Sequence, residues 1–120
     1  LKKGKKMSYK IYFIKCTKNN KGYVGITSNS IENRWESHIS NAVKERKMKN
    51  GKTIPFMAAI KKYGPENFKI SIIDKAKNVN EAYKKEIFYI KKYRTYASGP
   101  VPRLGYNCTK GGFNYHRQII

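Results

Sequence analysis

Six positions in this chain carry side chains that could work on a phosphate ester: Tyr12, Tyr23, Arg34, His38, Glu86 and Asn107. A phenol or an imidazole is a general-base candidate, and a guanidinium fork matches the oxygens of a phosphate gaining charge. One carboxylate is chemically sufficient for Mg²⁺, because water and substrate phosphate complete its octahedron. These groups sit in a chain of 27 Lys+Arg against 7 Asp+Glu. Such a charge by itself argues for holding a polyanion, since every neutralised phosphate releases counterions. Adding the six side chains points past binding to metal-assisted cutting of a phosphodiester.

Singly, none of the six is decisive. Glu86 falls in an apolar helical stripe of a +20 protein, which fits a buried ion pair or a metal ligand, and taken alone the residue favours the ion pair, because buried charges are usually paired. Arg34 and His38 are four apart, so a helix stacks them on one face. His38 there can orient a tyrosine hydroxyl or relay a proton. Tyr12 and Tyr23 compete with eight of the ten tyrosines. A phenol of pKa near ~10 is a poor base in water, but surrounding cations are expected to lower it and make tyrosinate accessible. Asn107 lies in a glycine-rich stretch where asparagine is a common turn former.

The elements that must position them follow from local pattern. Residues 9–16 are rich in β-formers, Asn19-Asn20-Lys21-Gly22 is a turn signal, and Gly22-Tyr23-Val24-Gly25-Ile26 returns as a second strand. Period 2 puts Ile11 and Phe13 on one face and Tyr12 on the other, so Tyr12 need not be a core aromatic. A helix is expected over 30–47, its stripe Ile31, Trp35, Ile39, Ala42 and Val43, capped by Asn29 or Ser30. A basic loop, 44–52, leads to a short helix over 55–63, stopped by Gly64-Pro65, and 68–73 forms a third strand. A helix over 79–95 follows, capped by Asn78 with Glu81 three residues on, its buried stripe Ala82, Tyr83, Glu86, Ile87 and Ile90. A Pro/Gly loop then ends in Gly105-Tyr106-Asn107-Cys108-Thr109-Lys110-Gly111-Gly112.

Composition sets the outer bounds. At 120 residues and 39% hydrophobic content, one domain with a single modest core is expected. Residues 1–8 form a lysine-rich arm, 9–113 the domain, and 114–120 a tail. The chain has no apolar run near ~18 residues and no signal-peptide core, so a soluble intracellular protein is expected. Cys16 and Cys108 lack Cys/His cluster spacing, which argues for reduced thiols rather than a zinc site.

Taken as a set, the spacing resembles the GIY-YIG nuclease family over roughly residues 9–112. Lys10-Ile11-Tyr12 matches the first half-motif and Tyr23-Val24-Gly25 the second. Arg34-Trp35-Glu36-Ser37-His38 matches the helix motif, Glu86-Ile87-Phe88-Tyr89-Ile90 the metal helix, and the run from Gly105 to Gly112 the closing asparagine motif of phage and mobile-element members. The resemblance implies an α+β fold, a small three-stranded antiparallel sheet flanked by helices. It implies a DNA endonuclease using one Mg²⁺ or Mn²⁺ ion, acting on double-stranded DNA. Tyr12 would then be the general base, Tyr23 would contact nucleophile or phosphate, and Arg34 would stabilise the pentacovalent phosphate. His38 would hydrogen-bond Tyr12, Glu86 would hold the metal, and Asn107 would brace the site or touch the backbone.

Two departures stand out: Lys10 occupies the glycine position of the first half-motif, and Val24 replaces isoleucine. The separate DNA-binding domain typical of homing members is not within these residues, so specificity is expected from the basic loops or from a domain outside this sequence. The alternative to an active nuclease is a catalytically inactive basic nucleic-acid-binding domain. A third reading, a structural RNA-associated protein of ribosomal type, explains the charge but neither the carboxylate on the core stripe nor the Arg/His pair.

Overall fold

The computed structural model describes residues 8–47, 50–98, 104–107 and 109–111. The lysine arm up to residue 7, the tail from 112, and Cys108 lie outside the described residues. Three strands, β1 (Tyr9–Cys16), β2 (Gly22–Thr27) and β3 (Phe68–Ala76), form an antiparallel sheet in the order β2-β1-β3. Helices α1 (Ile31–Val43) and α2 (Pro55–Tyr63) lie between β2 and β3 in the chain, and α3 (Val79–Tyr93) follows β3. This is the α+β arrangement expected.

Because β1 is central, its two faces feed two cores. Tyr12, Ile14 and Cys16 pack with Ala42 of α1, with Phe56, Met57 and Ile60 of α2, and with Phe68 and Tyr106. Ile11 packs with Val24, Ala76 and the α3 residues Ala82 and Ile90, with Phe13 and Tyr93 alongside. Period 2 therefore sorts the faces correctly. With helices on both sides, however, Tyr12 is fully buried at 0% exposure, a core aromatic contrary to expectation. A register shift between Ile11 and Tyr12 in the β1–β3 pairing breaks the alternation of β3 beside that residue.

The helices begin where their caps predict and stop sooner than periodicity suggests. Ser30 accepts from Asn33 N to start α1, and Asn78 accepts from Glu81 N to start α3. At the other ends the chain turns left-handed, with Glu45 at φ 54° and Arg94 at φ 57°, so α1 ends at Val43 and α3 at Tyr93. Val43 consequently points out, 74% exposed, and Ile87 is 44% exposed. Both had been placed on buried stripes; each lies at the stripe's margin, where one step of 100° leaves the covered side. The strand β3 runs three residues past the expected end, to Ala76. Cys16 is a buried free thiol.

The segment 104–107 closes the β2 edge. Gly22 N donates to Leu104 O and Tyr106 N to Gly22 O, both at 2.8 Å, in a short parallel bridge. Asn107 continues it with its side chain, Oδ1 accepting from Val24 N at 2.9 Å and Nδ2 donating to Val24 O at 2.8 Å. Its main chain pairs the other way, Asn107 N to Thr95 O at 2.8 Å, so one residue ties β2 to the end of α3.

Candidate active site

The centre of the site is the Tyr12 hydroxyl. Its oxygen lies 2.8 Å from His38 Nε2 and accepts from Arg34 Nε at 3.2 Å. Arg34 and His38 reach it together because both sit on the inward side of α1, one turn apart. With Arg34 donating to the oxygen, the phenol's own hydrogen points at His38 Nε2. The imidazole proton then sits on Nδ1, which is buried and has no partner among the described residues. The Tyr23 ring stacks on Phe56 at 4.2 Å and 3° and meets His38 edge-on at 5.3 Å. Phe56, which the sequence pattern passed over, also meets His38 at 5.0 Å. The available signal was the spacing of Phe56, Ala59 and Ile60 behind Pro55, which puts the three on one face of a short helix.

Glu86 enters from the other side of the sheet. It is 4% exposed on α3, and its charge acts on Tyr12 together with that of Arg34. The Arg34 guanidinium thus touches the phenol directly, and the Glu86 charge reaches it through space. Gly111, at φ +88°, makes room beside Glu86: a Cβ there would lie 3.3 Å from Oε1. Asn107 stands behind the site, tying Val24 and Thr95, and braces it through backbone hydrogen bonds. Tyr12, Tyr23, Arg34 and His38 therefore stand in one connected group, the Glu86 charge acts on its central phenol, and Asn107 holds β2 behind Tyr23.

Burial changes the acid–base picture. It pushes the Tyr12 phenol up to about 12, against the lowering effect of Arg34, so the expected tyrosinate does not form at neutral pH in the free chain. Burial works to lower Arg34, but the Tyr12 and Tyr23 phenols and the Tyr12 hydrogen bond outweigh it, and the group is raised further above its usual range. It is a permanent cation. His38 is lowered to about 3 by burial first and the Arg34 charge second, which makes it a neutral imidazole at working pH.

That depression has a stability consequence. The unfolded chain binds the His38 proton near the ordinary 6.5 while the fold resists it to about 3. The contribution is therefore complete above about pH 6.5 and is lost as pH falls toward 3. Going from pH 7 to pH 5 is expected to cost about 2 kcal/mol from this residue, seen as a lower urea midpoint. In His38→Gln that pH dependence should flatten across the same window. A second expectation concerns Gly25, which faces Tyr12 across the β1–β2 pairing. A Cβ there would overlap the Tyr12 hydroxyl and Cζ. Gly25→Ala is expected to displace the phenol from His38, cost about 1–3 kcal/mol through overpacking and lower turnover by about a hundredfold. Thermal unfolding and initial rates measure both.

The donor set bears on the metal. Among the described residues no three His, Cys, Asp or Glu side chains gather into a metal cage. A buried carboxylate that belongs to no such cage, beside a left-handed glycine, suits a hard, mostly hydrated cation and does not suit zinc. Among those residues no helix is long and apolar enough to cross a membrane.

Comparison with known proteins adds to this geometry. A family model described as the GIY-YIG catalytic domain matches residues 8–98. A mutant catalytic domain of the intron endonuclease I-TevI superposes with a TM-score of 0.69 at 27% identity, covering 89% of this chain and 99% of that one. A second structure, of the catalytic domain of the homing endonuclease I-TevI, gives 0.64 at 26% identity, covering 84% and 98%. No curated protein sequence matches the chain.

Proposed function

This chain belongs to the GIY-YIG catalytic-domain family and is a nuclease domain, and from that premise we propose that it is a divalent-metal-dependent DNA endonuclease. The observation that carries the reading is the Tyr12 hydroxyl held by neutral His38 and cationic Arg34, with Glu86 acting on the same phenol. The substrate is double-stranded DNA, and each site hydrolyses one phosphodiester. Residues 9–113 make up the catalytic unit, with basic arm and tail outside it, and the protein works in a compartment that holds DNA.

Glu86 would hold one Mg²⁺ or Mn²⁺ ion, which when bound supplies Lewis-acid charge at the scissile phosphate. The remaining chemistry belongs to the protein. Tyr12 acts through the small phenolate fraction that has released its proton to solvent: that oxygen accepts the proton of the attacking water, and the half-exposed Tyr23 orients that water or the phosphate. Arg34 neutralises charge growing on the pentacovalent phosphorus. Tyr12 has no exposed surface, and Arg34 lies over its oxygen. Arg34 turning toward a phosphate therefore uncovers the phenol, so that substrate and base meet in one movement. His38 keeps the phenol in place, and Asn107 holds β2 beneath Tyr23.

Supercoiled plasmid with Mg²⁺, run beside an EDTA sample, tests the proposal. Conversion to nicked or linear DNA only with metal is the expected outcome. Binding with no cleavage at any divalent ion would leave the inactive nucleic-acid-binding domain as the better reading.

A further inference from the structure

The outward side of α3 carries an aromatic ring that the fold does not use. Phe88 is 56% exposed. At 100° per residue it lies opposite the buried line of Ala82, Glu86 and Ile90. Its neighbours on the helix surface, at i±3 and i±4, are Lys84, Lys85, Lys91 and Lys92, all lysine. Lys92 Nζ sits 5.8 Å from the Phe88 ring centre, and Tyr89 meets that ring edge-on at 5.0 Å. Tyr89 is in turn tied to the sheet, its hydroxyl donating to Asp74 at 2.9 Å, and Lys85 reaches the same carboxylate at 3.1 Å. The ring is thus exposed yet braced.

We propose that Phe88 is a stacking platform for an unpaired DNA base, with Lys84, Lys91 and Lys92 taking the flanking phosphates. More than half of the ring faces water and gains nothing for folding at this position, where alanine is the better helix former. A ring with Lys84, Lys91 and Lys92 one turn away on the helix surface matches a nucleotide: flat apolar base on the ring, anionic phosphate on either side. Paired bases in an intact duplex keep their faces inside the stack, so the ring selects extrahelical or single-stranded nucleotides. A second copy of this chain is disfavoured, because it would bring lysine against lysine in a +20 protein. The nuclease reading supplies only the choice of polyanion. The patch lies on the side of α3 away from Glu86, so it positions DNA rather than touching the reacting phosphate.

Fluorescence anisotropy with a labelled dT₁₂ oligonucleotide and a blunt 12-base-pair duplex, in EDTA, tests this without turnover. Phe88→Ala is expected to weaken dT₁₂ binding about five- to 150-fold, the range for losing one base–aromatic stack. Duplex affinity should hold, and Phe88→Trp should retain dT₁₂ affinity. The salt slope should stay constant in Phe88→Ala and fall by roughly 0.7 per lysine in Lys91→Ala and Lys92→Ala. Unchanged dT₁₂ binding by Phe88→Ala, or an equal loss on the duplex, overturns the proposal. So does Phe88-dependent self-association in size-exclusion chromatography, or Phe88-dependent binding to phosphatidylserine vesicles in place of dT₁₂. Plasmid cleavage is scored separately: a Phe88→Ala protein that cuts normally and binds dT₁₂ normally sinks this inference alone. Phe88-dependent dT₁₂ binding in a wild-type chain that cuts nothing sinks only the nuclease reading.

Discussion

Glu86→Gln is expected to lower Mg²⁺-dependent plasmid cleavage by about a thousandfold while leaving DNA affinity equal or slightly higher. The size follows from the several kcal/mol that a bound Lewis acid lends to a phosphoryl transition state, at about 1.4 kcal/mol per tenfold. Affinity holds because the substitution removes a negative charge from a +20 chain and leaves every lysine in place. Glutamine is the informative replacement, since Glu86 is 4% exposed and alanine would leave space beside Gly111 and Ile90. Glu86→Gln keeps the volume and loses the charge, so the melting temperature should hold within a few degrees. Nicking rates and anisotropy on the same preparation separate turnover from binding. Wild-type cleavage by Glu86→Gln would make the residue a buried ion-pair partner and take the metal away from α3.

Tyr12→Phe carries the second large effect, a drop of about 10²–10⁴ in rate, the usual worth of a positioned general base. The ring stays in the core, so packing with Ile14 and Phe56 is kept. What is lost is one oxygen, which leaves His38 Nε2 and Arg34 Nε without their partner. Leaving those buried groups unmatched costs about 1–3 kcal/mol of stability. A pH profile distinguishes a base from a brace. Burial raises Tyr12 to about 12, so the phenolate fraction grows tenfold per pH unit through the neutral and mildly alkaline range. Wild-type kcat/KM should rise with unit slope from pH 7 to 9, with no acid limb from His38, which stays neutral above about 3. In Tyr12→Phe the slope should vanish. The same shift works on stability: the protonated phenol's contribution is intact below pH 10 and fades as pH climbs toward 12. A slope that survives in Tyr12→Phe would move the base to another group, Tyr23 first.

Much of the site was legible because local rules place its parts. The alternation of β1 put Tyr12 opposite Ile11 and Phe13, and the i, i+4 spacing put Arg34 and His38 on one helix side. The cap residues Ser30 and Asn78 marked both long helices at their starts. Helix ends were harder, since Glu45 and Arg94 are not residues that announce a left-handed turn. Val43 and Ile87 were misplaced for a related reason: periodicity gives a direction around the helix, and only the neighbouring elements decide how far coverage extends.

Asn107 and Glu86 mark the boundary between the two kinds of information. Their residue types, order and distance from Tyr12 are properties of the chain alone, and they were enough to identify the family. Whether Asn107 was a turn former or a brace depended on Val24, 83 residues away, meeting its side-chain amide. The Tyr12 pKa is the clearest instance. From the sequence the cations had the larger claim, because 27 Lys+Arg are countable there. Desolvation won because helices cover both faces of β1 and exclude water from that phenol. Charge is carried by the chain itself, whereas dielectric environment exists only once the chain has packed, so the sequence determined which groups are present and the tertiary structure decided which of them are ionised.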